Sequence, residues 1–197
     1  MYSDVQTKLK KALGDGIKLR KRGLFDEALS HYASIRVFFD ESDPAYLRRY
    51  LNGVGVIHFN LGSHTQAVEL YEQALNLPIA DSYEELEDAA VKGNLANALV
   101  ELRRTSEAHA FLDHAERVFR EHQVDDWLGD RLETRARAYL IDSENEKAWK
   151  AINEAVGLLM HCFDEESLEI AIKTQGVVFE ACKRAGLFQL KKEAVND

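Results

Sequence analysis

"GLFDEALSHYASI", residues 23–35, sets a glycine ahead of a short run of helix formers in which an alanine is followed by large apolar residues at helical spacing. Laid along the chain, the pattern returns as "GSHTQAVELYEQAL" (62–75), "RTSEAHAFLDHAERV" (104–118), "SENEKAWKAINEAVGLL" (143–159) and, weakened, "AGLFQLKKEAV" (185–195). The aligned alanines are Ala28, Ala67, Ala108 and Ala148, spaced by 39, 41 and 40 residues. A fixed period near forty is the mark of stacked structural repeats, each too small to bury its apolar face alone.

Twelve positions before each alanine stands another small residue, Gly16, Gly55, Ala96 or Ala136. Two helices approach closely only where a small side chain lets them, so a small residue on each member of a pair marks a tight helix hairpin. Four residues after the alanine come Tyr32, Tyr71, Leu112 and Ile152, and seven after it Ile35, Ala74, Ala115 and Ala155. These offsets share one helical face, which is therefore the buried one. Polar or glycine-containing turns separate the members of each pair. "ESDPAY" offers Ser42 or Asp43 as a helix cap ahead of Pro44, and "SYEE" (82–85) and "SENE" (143–146) have the spacing of a capping box.

The small residue, the turn, the alanine, the aromatic and the second alanine resemble the tetratricopeptide repeat. "LNGVGVIHFNLGSHTQAVELYEQALNLP" (51–78) matches nearly every signature position. Departures are Asp15 and Arg135 in place of a leucine beside the small residue, Ile35 for the second alanine, and Lys191 where the fifth anchoring alanine would stand. The period exceeds the family's usual 34 residues, as in the similar repeats of kinesin light chains and bacterial peptide-sensing regulators. The resemblance implies an all-α fold, a right-handed superhelical solenoid of antiparallel helix hairpins with about four and a half repeats. A single domain over 1–197 is expected, with repeats at 9–42, 48–81, 89–122 and 129–162 and a degenerate unit or cap at 168–197.

Composition narrows the function. The net charge of −9 opposes general nucleic-acid binding, which needs a basic surface. The basic run from Lys8 to Arg22 reads as the solvated face of an amphipathic helix. No apolar stretch is long enough for a membrane span, and with no apolar run behind a basic start the expectation is a protein without an export signal. Cys162 and Cys182 lack disulfide or metal spacing, which fits a cytoplasmic protein with free thiols. None of the seven histidines pairs with another at the spacing that aims two rings at one metal, and no nucleophile or phosphate-binding motif is present. The expectation is a protein without enzymatic activity, metal or cofactor.

What such a fold offers is a surface. The resemblance implies that first helices line a concave groove, which takes Arg49, Asn52, Val56, Phe59 and Asn60, then Asn94, Asn97, Val100 and Glu101, then Glu133, Arg137, Leu140 and Ile141. Ile17, Arg20 and Lys21 precede this row; Lys173, Val177, Glu180 and Arg184 continue it. Asparagine is a poor interior helix residue, so Asn52, Asn94 and Asn97 call for a reason. Two reasons fit: gripping the backbone of an extended peptide, or bonding to neighbouring repeats and water. Arg49 and Arg137 come nearest to the carboxylate clamp of one subclass of the family, but Asn94, Asn97 and Glu101 between them break its pattern. The expected function is an interaction module for a protein or peptide segment. The alternatives are a ligand-responsive regulatory domain and a scaffold that self-assembles through its terminal helices.

Overall fold

A computed structural model describes residues 2–39, 44–79, 82–162 and 164–188. Among them are nine α-helices: α1 (Tyr2–Lys21), α2 (Phe25–Ile35), α3 (Pro44–Asn60), α4 (His64–Leu75), α5 (Ser82–Glu101), α6 (Thr105–Glu121), α7 (Asp125–Ile141), α8 (Asn145–Leu159) and α9 (Glu165–Arg184). The caps expected at Ser42 or Asp43, and Lys191 with the rest of the C-terminal unit beyond residue 188, lie outside the described residues. The fold is an all-α helical-repeat solenoid. Met1–Glu121 form one compact unit, with hairpins α1/α2, α3/α4 and α5/α6; His122–Asp197 form a second, with hairpin α7/α8 and α9 packed on both its helices.

Every first helix ends in the same turn. At Gly23, Gly62, Arg103, Ser143 and Gly186 the chain adopts a left-handed conformation, with φ between 58° and 77°. The next amide then reaches five residues back: Leu24 to the Leu19 carbonyl (3.1 Å), Ser63 to His58 (2.8 Å), Arg104 to Leu99 (2.8 Å), Glu144 to Tyr139 (2.8 Å) and Leu187 to Cys182 (3.0 Å). This is the Schellman stop, which satisfies orphan carbonyls and reverses the chain. It also corrects one sequence expectation. Ser143 is not the cap of α8, because the turn needs it in the left-handed position; Glu144 precedes α8 and makes no side-chain cap bond.

The hairpins close where a large residue of the second helix meets a small one of the first. A Cβ placed on Gly16 would lie 2.5 Å from the ring of Tyr32, and one on Gly55 would lie 2.5 Å from that of Tyr71. In the next two hairpins the small residue is alanine, and the large residue at the matching place shrinks to Leu112 or Ile152; all four are fully buried. Bulk on one helix is thus traded for bulk on the other, keeping close packing at the crossing. Seven residues to either side in α7/α8, a Cβ on Gly129 would meet Leu159 at 2.6 Å, as an antiparallel register requires. The anchoring alanines Ala28, Ala67, Ala108 and Ala148 have no exposed surface.

Tyr32 also links repeats. Its ring end rests on the bare backbone of Gly53 in α3, and Tyr50 meets it edge-on with ring centres 5.6 Å apart. Phe39 then packs against Tyr50 at 5.0 Å. One tyrosine therefore fixes both its own hairpin and the seating of the next.

Gly55→Ala should cost about 1–3 kcal/mol by forcing a methyl into Tyr71. Adding Tyr71→Leu should return part of that loss, because the pair then copies the Ala96/Leu112 crossing. Urea unfolding of both single variants and the double variant measures this coupling. Arg103→Gly should instead raise stability by roughly 0.5–1 kcal/mol, since a side chain at positive φ is strained where glycine is not; a thermal melt reads the gain.

Candidate partner-binding face

In the first unit α3 packs beside both α1 and α5, so residues of neighbouring first helices meet side by side. The Asn94 amide donates to the Asn52 oxygen at 2.9 Å, joining two repeats through half-buried side chains. One turn away, the Arg49 Nε and Nη2 atoms both lie 2.6 Å from Glu87 Oε1, and the guanidinium sits 5.2 Å over the Tyr46 ring. The pair is partly shielded, with side chains 30% and 17% exposed, so it is stronger than a surface ion pair. Asn97 is half-buried and Glu101 exposed, and both already have intramolecular partners. Val100, expected in the groove, is buried.

Beyond this polar pairing the face turns apolar toward the end of α3. Val56 is half-buried, and the Phe59 ring lies 5.1 Å from that of His64. Asn60 is exposed and donates to the Val56 carbonyl at 2.9 Å, a local bond that finishes the helix.

The second unit repeats the logic with charges. Glu133 on α7 is buried; its carboxylate takes the Arg137 Nε at 3.0 and 3.1 Å, and Thr174 on α9 donates to it at 2.6 Å. A carboxylate holding both a cation and a hydroxyl offsets the cost of its own burial. Leu140 and Ile141 follow, half-buried. Both arginines nearest to a carboxylate clamp, Arg49 and Arg137, are therefore already held by carboxylates of their own unit.

The residue that sequence reading passed over is Arg48. It is fully buried, and its guanidinium donates to the carbonyls of Leu77 and Pro78 at 2.7 Å and of Ala74 at 3.4 Å. These groups close the C-terminal end of α4, where a cation satisfies orphan acceptors and suits the helix dipole. The signal was available: Arg48 lies seven residues before Gly55, on the same buried face. A second, partly buried cluster joins buried Asp88 to Lys92 at 2.8 Å and to His114 at 3.7 Å. Burial, with Lys92 nearby, pushes the His114 pKa below its usual value and favours the neutral ring. Among the described residues, no group of three or more histidines, cysteines or acids could hold a metal ion, and no helix is long and apolar enough to cross a membrane.

Stacked antiparallel hairpins with a small residue at each crossing define a helical-repeat protein. Residues 47–77 match the family model described as tetratricopeptide repeat. BtubC (BKLC) from P. vanneervenii superposes with a TM-score of 0.68 at 19% identity, over 95% of this chain and 84% of that one. A Podosopora anserina putative kinesin light chain with nearly identical TPR-like repeats gives 0.68 at 15% identity, covering 91% and 89%. MamA from Desulfovibrio magneticus RS-1 gives 0.52 at 20% identity, covering 90% and 96%. Residues 47–77 thus match one tetratricopeptide repeat, and the chain as a whole shares the helical-repeat solenoid fold of these structures, a fold that supports protein–protein interaction or scaffolding.

Arg137→Ala should leave the Glu133 carboxylate buried with only a hydroxyl donor and destabilise the protein by about 2–4 kcal/mol. The double change Arg137→Leu with Glu133→Leu should recover most of it. Equal denaturant midpoints for wild type and Arg137→Ala would show that the pair contributes nothing.

Proposed function

We propose that the protein is a non-enzymatic interaction module that binds an extended peptide or partner segment along the first-helix face of its N-terminal unit. The observation that carries this reading is the Asn94–Asn52 amide bond. It occupies the Asn52 oxygen, holds the side chain in one orientation across two repeats, and leaves the two hydrogens of Asn52 Nδ2 as donors on a half-exposed face. Fixed donors of this kind suit peptide carbonyls irrespective of side chain, and a prearranged group loses little entropy on binding. Val56 and Phe59, one and two turns further along α3, offer apolar contact for a partner's side chain. Glu133, Arg137, Leu140 and Ile141 form the corresponding row of the second unit.

Other features support the same reading. The net charge of −9 disfavours nucleic acid as the partner. The two free cysteines suit a reducing compartment such as the cytoplasm.

The test uses Asn52→Asp, which keeps an oxygen for Asn94 to bond while removing both donors. Peptides selected from a random displayed library on wild-type protein should bind this variant roughly tenfold more weakly by calorimetry, since two hydrogen bonds of about 0.5–1.5 kcal/mol each are lost. Its melting temperature should stay close to wild type. Unchanged affinity would remove Asn52 from the binding face, and failure to select any peptide would defeat the reading as a whole.

A further inference from the structure

Helix α9 is stacked like the other first helices, but among the described residues nothing covers it as second helices cover them. Its Thr174 bonds to Glu133 on α7 across 41 residues, as Asn94 bonds to Asn52 across 42, so α9 keeps the repeat register. In that register Gly176 follows Ala136 by one forty-residue period and takes the hairpin-crossing place. A Cβ there would meet nothing within 4 Å, whereas Gly16 and Gly55 are filled by tyrosines. The turn that should bring back a second helix also comes late. Helices α1, α3, α5 and α7 end five residues beyond their small residues, at Lys21, Asn60, Glu101 and Ile141, but α9 runs eight beyond Gly176 to Arg184. Phe188 then stacks on Phe179 with ring centres 5.2 Å apart, beside Trp149.

The open face centred on Gly176 is apolar and inversely charged about its middle. Ile172 and Phe179, four residues before and three after, are 51% and 42% exposed. Seven residues out on either side stand Glu169 and Lys183, and between them Lys173 and Glu180. All four charged side chains are more than half exposed, and their pairs, Lys173–Glu169 at 2.7 Å and Lys183–Glu180 at 4.0 Å, lie along the helix itself. Laid antiparallel on a copy of itself across Gly176, this face sets Glu169 against Lys183, Lys173 against Glu180, and Ile172 against Phe179. A parallel arrangement sets like charge against like.

The geometry points to a second copy of this chain as the occupant: α9 pairs antiparallel with α9 of a partner about a twofold axis at Gly176, forming a homodimer. Such an interface is isologous, so every contact occurs twice. A glycine at the centre of this face permits close approach of two backbones there. This inference stands apart from peptide binding on the N-terminal unit, and either can fail without the other.

Sedimentation equilibrium of the full chain tests it. Wild type should be dimeric at micromolar concentration. Gly176→Leu, whose Cβ meets open space in the monomer, should remain folded by circular dichroism and sediment as a monomer. Lys183→Glu should weaken the dimer by roughly tenfold or more, since the repulsion counts twice, and adding Glu169→Lys should restore it. A monomeric wild type, a dimer indifferent to Gly176→Leu, or a charge swap that restores nothing would overturn the antiparallel dimer. A chain that dimerises only after residues 189–197 are deleted would do so too, by assigning the face to its own C-terminal segment.

Discussion

The ring of Tyr32 lying on the bare backbone of Gly16, and that of Tyr71 on Gly55, set the distance between the two helices of a hairpin; most of the remaining geometry follows from that distance. With this contact fixed, the anchoring alanines fall at zero exposure, and the left-handed turn has a definite span to cross. Where the small residue becomes Ala96 or Ala136, the large one becomes Leu112 or Ile152. The constraint is therefore a sum of volumes at the crossing rather than the identity of either side chain. Since Tyr32 also meets Gly53, the same ring carries the spacing from one hairpin to the next.

Fixed spacing between hairpins brings first helices together, and polar side chains at their contact must then find partners. Asn52 finds Asn94, Arg49 finds Glu87, and Glu133 finds both Arg137 and Thr174. Groups that look from a helical projection like a row of loose ligand contacts are thereby tied into the scaffold. Tying orients them and costs them part of their bonding capacity. Arg48 shows the same rule at full burial, with its guanidinium donating to three carbonyls at the end of α4.

The last helix departs from this economy at one point. Its register on α7 is preserved through Thr174, but its turn arrives three residues late and Phe179 and Phe188 fold together beside Trp149. Among the described residues no helix crosses Gly176, and the face around it exposes apolar side chains between charges of both signs.

The sequence by itself determined the elements and their pairing. Its alanine period and the small residues twelve positions upstream located four hairpins, and the offsets of four and seven named the buried face; Tyr32, Tyr71, Leu112 and Ile152 are all buried there. These features were legible because they repeat, and because a helix has one periodicity. Tertiary structure decided how the polar residues are used. Whether Asn94 meets Asn52 or solvent, whether Arg48 or Arg49 turns inward, and whether Ser143 caps a helix or ends one depend on contacts between residues tens of positions apart or on backbone dihedrals that a helical projection does not contain. A hydrogen bond selects its partner by distances of tenths of an ångström, and the packing of the crossings fixes those distances.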